Sequence, residues 1–201
     1  DSVTVEEALA HPTWNMGPVV TINSATLVNK GLEIIEAHYL FDIPYEKIEA
    51  VIHPQSVIHS MVEFVDGSTI AQASPPNMKG PIAYALSDGT RVNGAMNPID
   101  WSKSSTWNFA PIDEVKFPAI RVAREVGVKG GGFTAIFNAA NEVAVDAFLK
   151  GSIKFSDIVR NVEAVLSKFS NQSPFQIRDL ADVSAIENDA RAYSVQLIKG
   201  V

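Results

Sequence analysis

Four segments of this chain, residues 116–126, 134–149, 156–169 and 184–199, repeat apolar residues at the three-to-four spacing of an amphipathic helix. Such stripes bury themselves against one another, and the gaps between them suit neighbouring helices of a bundle. Residues 114–201 are therefore expected to form an all-α helical-bundle domain. The first part of the chain reads differently. Thr4 followed by Glu7 is a capping-box pattern for a short helix over 5–10, stopped by the His11-Pro12 step. A second helix is expected over 24–40, with Ser24 as its cap, Leu27, Gly31, Ile34 or Ile35 and His38 on one face, and Thr26, Asn29, Glu33 and Glu36 opposite.

From Ile48 the pattern changes to β-type runs, 48–52, 56–65 and 68–73, the last two joined by the Asp66-Gly67 turn signal. A short helix is expected near Pro81. The stretch 88–113, with Asp88-Gly89, Asn93-Gly94 and Asn97-Pro98, is rich in turns and has no period, and it reads as a linker. The fold class is α+β. Residues 1–87 form a small, mostly antiparallel or mixed sheet with helices, followed by the linker and the bundle. A length of 201 residues allows one large or two small domains, and 46% apolar against 19% charged residues excludes disorder as a description of the whole.

Charge narrows the partners. Residues 1–113 hold 5 Lys/Arg and 13 Asp/Glu, whereas 114–201 hold 11 and 10. Neither part has the basic stripe that neutralising several phosphates of a nucleic acid requires. No run approaches the roughly 18 consecutive apolar residues of a membrane-spanning helix. With no cysteine, disulfides, thiolate nucleophiles and Cys-built metal sites are excluded, so a bound metal would be held by His, Asp, Glu or Asn, which favours a hard cation. The start Asp1-Ser-Val-Thr has no initiator Met, basic region or apolar core; it reads as neither a signal peptide nor an intact natural start, and residues are expected to precede it.

Chemistry concentrates on the helix expected at 24–40. Asn29, Lys30 and Glu33 fall within about one turn, roughly 6 Å of rise. Helix N-terminal N–H groups, neutral donors from Ser24 and Asn29 and the charge of Lys30 together suit a phosphate. Glu33, one turn on, suits a divalent cation. The same residues also read as a solvated face opposite an apolar stripe. The loop His11-Pro-Thr-Trp14-Asn-Met16-Gly17-Pro reads equally as a lid or a packed corner. His53 and His59 flank a strand entry, but zinc would need a third ligand at a recognisable spacing, so His53 is read as structural and His38 as a satisfied core histidine. Lys129-Gly-Gly-Gly132 lacks the strand and the Gly-Lys-Ser/Thr ending of a phosphate loop and reads as a mobile bundle connection. Asn138-Ala-Ala-Asn141-Glu142 is a polar cluster placed to cap or brace a neighbouring helix.

The run Ser24-Ala-Thr-Leu-Val-Asn29-Lys30-Gly31-Leu32-Glu33, the preceding His11-Pro-Thr-Trp14-Asn-Met16-Gly17 and the following Ile52-His-Pro-Gln-Ser-Val-Ile-His59-Ser-Met closely resemble the 1-deoxy-D-xylulose 5-phosphate reductoisomerase family, as does Asn138-Ala-Ala-Asn141-Glu. The resemblance extends over nearly the whole chain. It implies rearrangement of 1-deoxy-D-xylulose 5-phosphate and reduction by NADPH to 2-C-methyl-D-erythritol 4-phosphate, in non-mevalonate isoprenoid synthesis, with Mg²⁺ or Mn²⁺. It further implies that Ser24, Asn29 and Lys30 bind this small phosphorylated sugar and that Glu33 ligates the metal, which makes Lys30 and Glu33 catalytic together with His11. His11 and Trp14 belong to a lid over the substrate, Met16 and Gly17 approach the nicotinamide, Pro76 and Met78 lie beside it, and His59 supports the site.

The family's N-terminal part carries a Rossmann-type NADPH domain, an acidic metal motif and a Ser-Gly-Gly-Pro loop, none of which occurs in this sequence. The chain is thus expected to correspond to the C-terminal part, inactive alone, homodimeric, and cytoplasmic, or stromal in a plastid. Two other readings stand beside it: a noncatalytic dimerisation or interaction fragment, and a metallohydrolase using His53, His59 and Glu33.

Overall fold

Thr4 opens the first helix with a reciprocal cap: its hydroxyl accepts the Glu7 N–H at 3.2 Å, and its own N–H donates to the Glu7 carboxylate at 2.9 Å. That helix, α1, spans Val5–Leu9. The computed structural model describes residues 2–14, 16–170 and 175–200. Asp1 and Asn15 of the loop lie outside the described residues.

The single helix expected over 24–40 is two helices. Gly17 caps α2 (Pro18–Ala25), with Pro18 at the first turn where its missing N–H costs nothing. Leu27 then takes a left-handed conformation, φ 61°, and α3 (Val28–Phe41) begins after it. Thr26 explains the break. Its hydroxyl donates back to the carbonyls of Ile22 and Asn23, at 3.0 and 3.3 Å, which offers the backbone an alternative to continuing the helix. Thr26 is accordingly buried rather than on a solvated face. Gly31, Ile34 and Ile35 form the buried stripe of α3, as the spacing predicts.

Three further elements follow: the antiparallel pair β2 (Ile58–Glu63) and β3 (Thr69–Ala73), preceded by the short β1 (Val51–Ile52). Gly67 has a φ of 83°, which the tight turn between β2 and β3 requires. Helix α4 spans Lys79–Leu86, and β4 (Ala110–Pro111) pairs antiparallel with β1. The bundle helices are α5 (Ala119–Lys129), α6 (Phe133–Leu149), α7 (Asp157–Phe169) and α8 (Leu180–Lys199). Asp179 caps α8 by accepting the N–H groups of Ala181 and Asp182. Among the described residues no helix is long and apolar enough to cross a membrane.

Contacts gather the chain into two units: the described residues of Asp1–His11, Asn15–Ala50 and Ile112–Val201 form one, and Pro12–Trp14 with Val51–Pro111 the other. This grouping divides residues 1–87 at 50/51 and joins 51–87 to the stretch that follows, while its boundary at 111/112 lies two residues from the one drawn at 113/114. In the first unit α6 is central and packs on α2, α3, α5, α7 and α8, with Phe133, Ile136 and Phe137 fully buried. Helix α3 lies on α5 so closely that a side chain at Gly31 would meet the Ala123 Cβ at 2.8 Å. In the second unit residues 88–111 are tied back to the hairpin region by β4 and by Gln55, which exchanges hydrogen bonds with Asn108 at 2.7 and 3.1 Å.

Two glycines of the run after α5 fit closely, whereas a Cβ at Gly130 would meet nothing within 4 Å. Gly131 has φ 57°, and a Cβ there would lie 2.9 Å from the Phe175 carbonyl oxygen; one at Gly132 would lie 2.8 Å from Ile186 Cδ1.

Candidate functional site

The break at Thr26 and Leu27 fixes which residues sit at the positive end of a helix. Asn29 and Lys30 occupy the first turn of α3, and Glu33 follows one turn later. Ser24 does not cap this helix; it lies in the last turn of α2, half-buried, with its carbonyl accepting the Leu27 N–H at 3.1 Å. The positive end of the dipole therefore lies at Val28, Asn29 and Lys30 rather than at Ser24. Ser24 is only a few residues away, across the corner.

Asn29, Lys30 and Glu33 meet through one carboxylate. Asn29 Nδ2 donates to one Glu33 oxygen at 2.7 Å, and Lys30 Nζ pairs with the other at 2.5 Å. All three side chains reach solvent, with Lys30 40% and Glu33 44% exposed, so the cluster is open to a ligand and its ion pair is weak. As to metal, Glu33 offers a single anionic ligand. Among the described residues no group of three or more His, Asp or Glu converges, so a divalent ion here needs further ligands from outside these residues.

The loop residues fall in both units. His11, half-buried, ends the first stretch of the first unit, and Met16 and Gly17 resume that unit, where a Cβ at Gly17 would meet nothing within 4 Å. In the second unit Trp14 Nε1 donates to Ser56 Oγ at 3.2 Å, and its indole stands edge-on to His59 with centroids 6.5 Å apart. His59 Nε2 is in turn 3.1 Å from the Ser74 carbonyl. Pro76 is half-buried and Met78 is exposed at the head of α4.

His53 is structural, as read. Its Nδ1 donates to the Asn108 carbonyl at 2.8 Å, its Nε2 accepts the Val57 N–H at 3.1 Å, and its ring stacks on Phe109. With both nitrogens engaged it has none for zinc or a catalytic water, which removes the metallohydrolase reading. His38 is half-buried, bonded to the Ile43 carbonyl and stacked on Tyr45. Sequence reading missed two residues: Ser56, the partner of Trp14, and Asn23, which pairs with Asn141. Ser56 has positive φ, 51°, which the sequence does not announce.

The family described as DXP reductoisomerase C-terminal domain matches residues 73–193, and that described as 1-deoxy-D-xylulose 5-phosphate reductoisomerase C-terminal domain matches residues 1–41. The 1-deoxy-D-xylulose 5-phosphate reductoisomerase of Kitasatospora griseola is 56% identical over 199 residues, 99% of this chain and 52% of the relative. That of Streptomyces avermitilis is 54% identical over 196 residues, 98% of this chain and 50% of the relative. The solved reductoisomerase from Zymomonas mobilis in complex with NADPH superposes with a TM-score of 0.89 at 43% identity, over 100% of this chain and 51% of that one. A structure of DOX-P reductoisomerase in complex with NADPH, fosmidomycin and magnesium gives 0.90 at 39% identity, over 98% of this chain and 50% of that one. The chain thus spans about half the length of these relatives.

Proposed function

Because the chain belongs to the 1-deoxy-D-xylulose 5-phosphate reductoisomerase family, we propose that it supplies the substrate-binding helix pair and the helical bundle of an enzyme that converts 1-deoxy-D-xylulose 5-phosphate to 2-C-methyl-D-erythritol 4-phosphate with NADPH and Mg²⁺ or Mn²⁺. The observation that carries this is the cluster on α3, where a cation, an amide and a carboxylate meet within one turn of a helix N-terminus. Lys30 and Asn29 bind the substrate phosphate, aided by the first-turn N–H groups and by Ser24 across the corner. Glu33, released from Lys30, is the metal ligand this reading assigns among the described residues.

When bound, the divalent ion supplies Lewis-acid stabilisation of oxyanions and NADPH supplies hydride. The chain's own part is to hold the phosphate end fixed while the carbon skeleton rearranges, and to shield the hydride step from water with the segment carrying His11, Trp14 and Met16. The Trp14–Ser56 hydrogen bond and the Trp14–His59 contact give that segment a resting place. Met16 and Gly17 in the first unit, and Pro76 and Met78 in the second, are each uncharged residues assigned to the nicotinamide.

A homodimer completes the proposal. Among the described residues β2 and β3 pair only with each other, and Val62 and Ile70, 58% and 65% exposed, leave an apolar surface for a second copy. The decisive test follows NADPH absorbance with 1-deoxy-D-xylulose 5-phosphate and Mn²⁺. The protein as its gene encodes it in full consumes NADPH, and the 201-residue chain alone does not. Turnover by the chain alone contradicts the division of labour; none by the full protein contradicts the function.

A further inference from the structure

We propose that Asn141 is a positioning residue for the phosphate site, acting through Asn23 to set the corner that carries Ser24; the inference rests on the proposed role of Ser24, Asn29 and Lys30. Asn141 is fully buried on α6, the central helix of its unit, and its Nδ2 donates to Asn23 Oδ1 at 2.9 Å. Asn23 is itself 8% exposed and directly precedes Ser24 in the last turn of α2. The contact continues past that turn. The Asn23 carbonyl accepts from Thr26 Oγ1 at 3.3 Å, and that hydroxyl in turn receives the Val28 N–H at 3.5 Å, at the start of α3. A buried polar thread therefore runs from the bundle's central helix to the turn that presents Asn29 and Lys30.

The Asn141 Oδ1 atom has no hydrogen-bond partner. The Asn141 amide instead spends its donor on Asn23, a directional bond that fixes orientation as well as closeness, which a packed apolar side chain would not. Its neighbours in the polar cluster have other tasks: Asn138 donates to Glu142, and Glu142 takes Arg191 from α8. Of these three, Asn141 is the one whose described hydrogen bond reaches α2. Without its donor, Asn23 Oδ1 would be buried and unpaired; Ile22 would still anchor α2 against Ala144, Val145 and Phe148, but the last turn would lose the bond that fixes its orientation and with it the setting of Ser24. Loss of that setting weakens a preorganised anion site.

A second buried polar pair serves as a control. Asn161 and Ser194 join α7 to α8, with Ser194 Oγ donating to Asn161 Oδ1 at 2.5 Å, and neither lies on α2 or α3.

The experiment measures KM and kcat with 1-deoxy-D-xylulose 5-phosphate in the protein as its gene encodes it in full. Asn141→Leu is expected to raise KM by roughly tenfold with kcat changed less than about twofold. The double variant Asn141→Leu/Asn23→Leu should be no worse than the worse single variant. In a Ser24→Ala background the Asn141→Leu effect should shrink, and Asn161→Leu should lower the melting temperature without moving KM. An unchanged KM for Asn141→Leu, an equal effect in the Ser24→Ala background, or a matching KM rise from Asn161→Leu overturns the inference. If Asn141→Leu does not fold, Asn23→Ala must give the same KM rise, and its failure to do so overturns the inference equally. Absence of turnover by the unaltered protein overturns the functional reading itself and is distinguished before any variant is made.

Discussion

Lys30 and Glu33 are paired at 2.5 Å, so the cation suited to a phosphate is engaged by the carboxylate suited to a metal. Each ligand must compete with this internal pair, and each relieves the other of that competition. Because both side chains are about two-fifths exposed or more, the pair is worth at most about 1 kcal/mol, which limits the coupling to about fivefold. Glu33→Gln should therefore tighten inorganic phosphate binding by a few-fold in the absence of metal and make it insensitive to Mn²⁺. Calorimetric titration of phosphate with and without Mn²⁺ checks this. Unchanged phosphate affinity in the variant contradicts it.

Gly31 is a packing requirement, since its backbone is ordinary helix. Alanine at an interior helix position is favoured over glycine by about 1 kcal/mol. Here the new Cβ would meet Ala123 Cβ at 2.8 Å and the Ala119 carbonyl oxygen at 3.2 Å, backbone and side chain of a facing helix that cannot both yield. Overpacking costs about 1–3 kcal/mol and wins. Gly31→Ala should lower the melting temperature by several degrees, and adding Ala123→Gly should recover part of it. A rise in melting temperature for the single variant contradicts the packing account.

Asp182, in the first turn of α8, carries an acid-dependent share of stability. Its carboxylate is held at a pKa of about 2, below the ordinary 3.8, chiefly by the Arg178 guanidinium and also by the Arg178 N–H. A depressed folded-state pKa means that the unfolded chain binds more protons between these values, so the stabilisation is complete above about pH 4 and disappears as the pH falls through about 2. The urea midpoints of the parent and Asp182→Asn should differ at neutral pH and converge towards pH 2. A constant gap over that range contradicts the assignment.

Local rules made much of the molecule readable. The Thr4–Glu7 cap, the Asp66-Gly67 turn and the four bundle helices all follow from short-range patterns, and each is present within a few residues of its expected bounds. The corner at Thr26–Leu27 was not readable, because an apolar residue at φ 61° leaves no compositional trace and the stripe continues through it. That one break moved Ser24 from the head of α3 to the tail of α2. Long-range closeness was equally hidden: nothing local says that the glycines at 131 and 132 face Phe175 and Ile186, or that Asn141 meets Asn23, 118 positions away. The chemistry of Asn29, Lys30 and Glu33 was legible because helical spacing alone brings them together.

Lys30 serves binding and Glu33 the metal-dependent chemistry in the proposed function, one turn apart on α3. Steady-state NADPH consumption by the protein as its gene encodes it in full, with Mn²⁺ and varied 1-deoxy-D-xylulose 5-phosphate, separates the two. Lys30→Ala should mainly raise KM, whereas Glu33→Gln should lower kcat by about a hundredfold, the scale of losing a transition-state electrostatic contact. Kinetics indistinguishable from the unaltered protein in both variants would contradict the account.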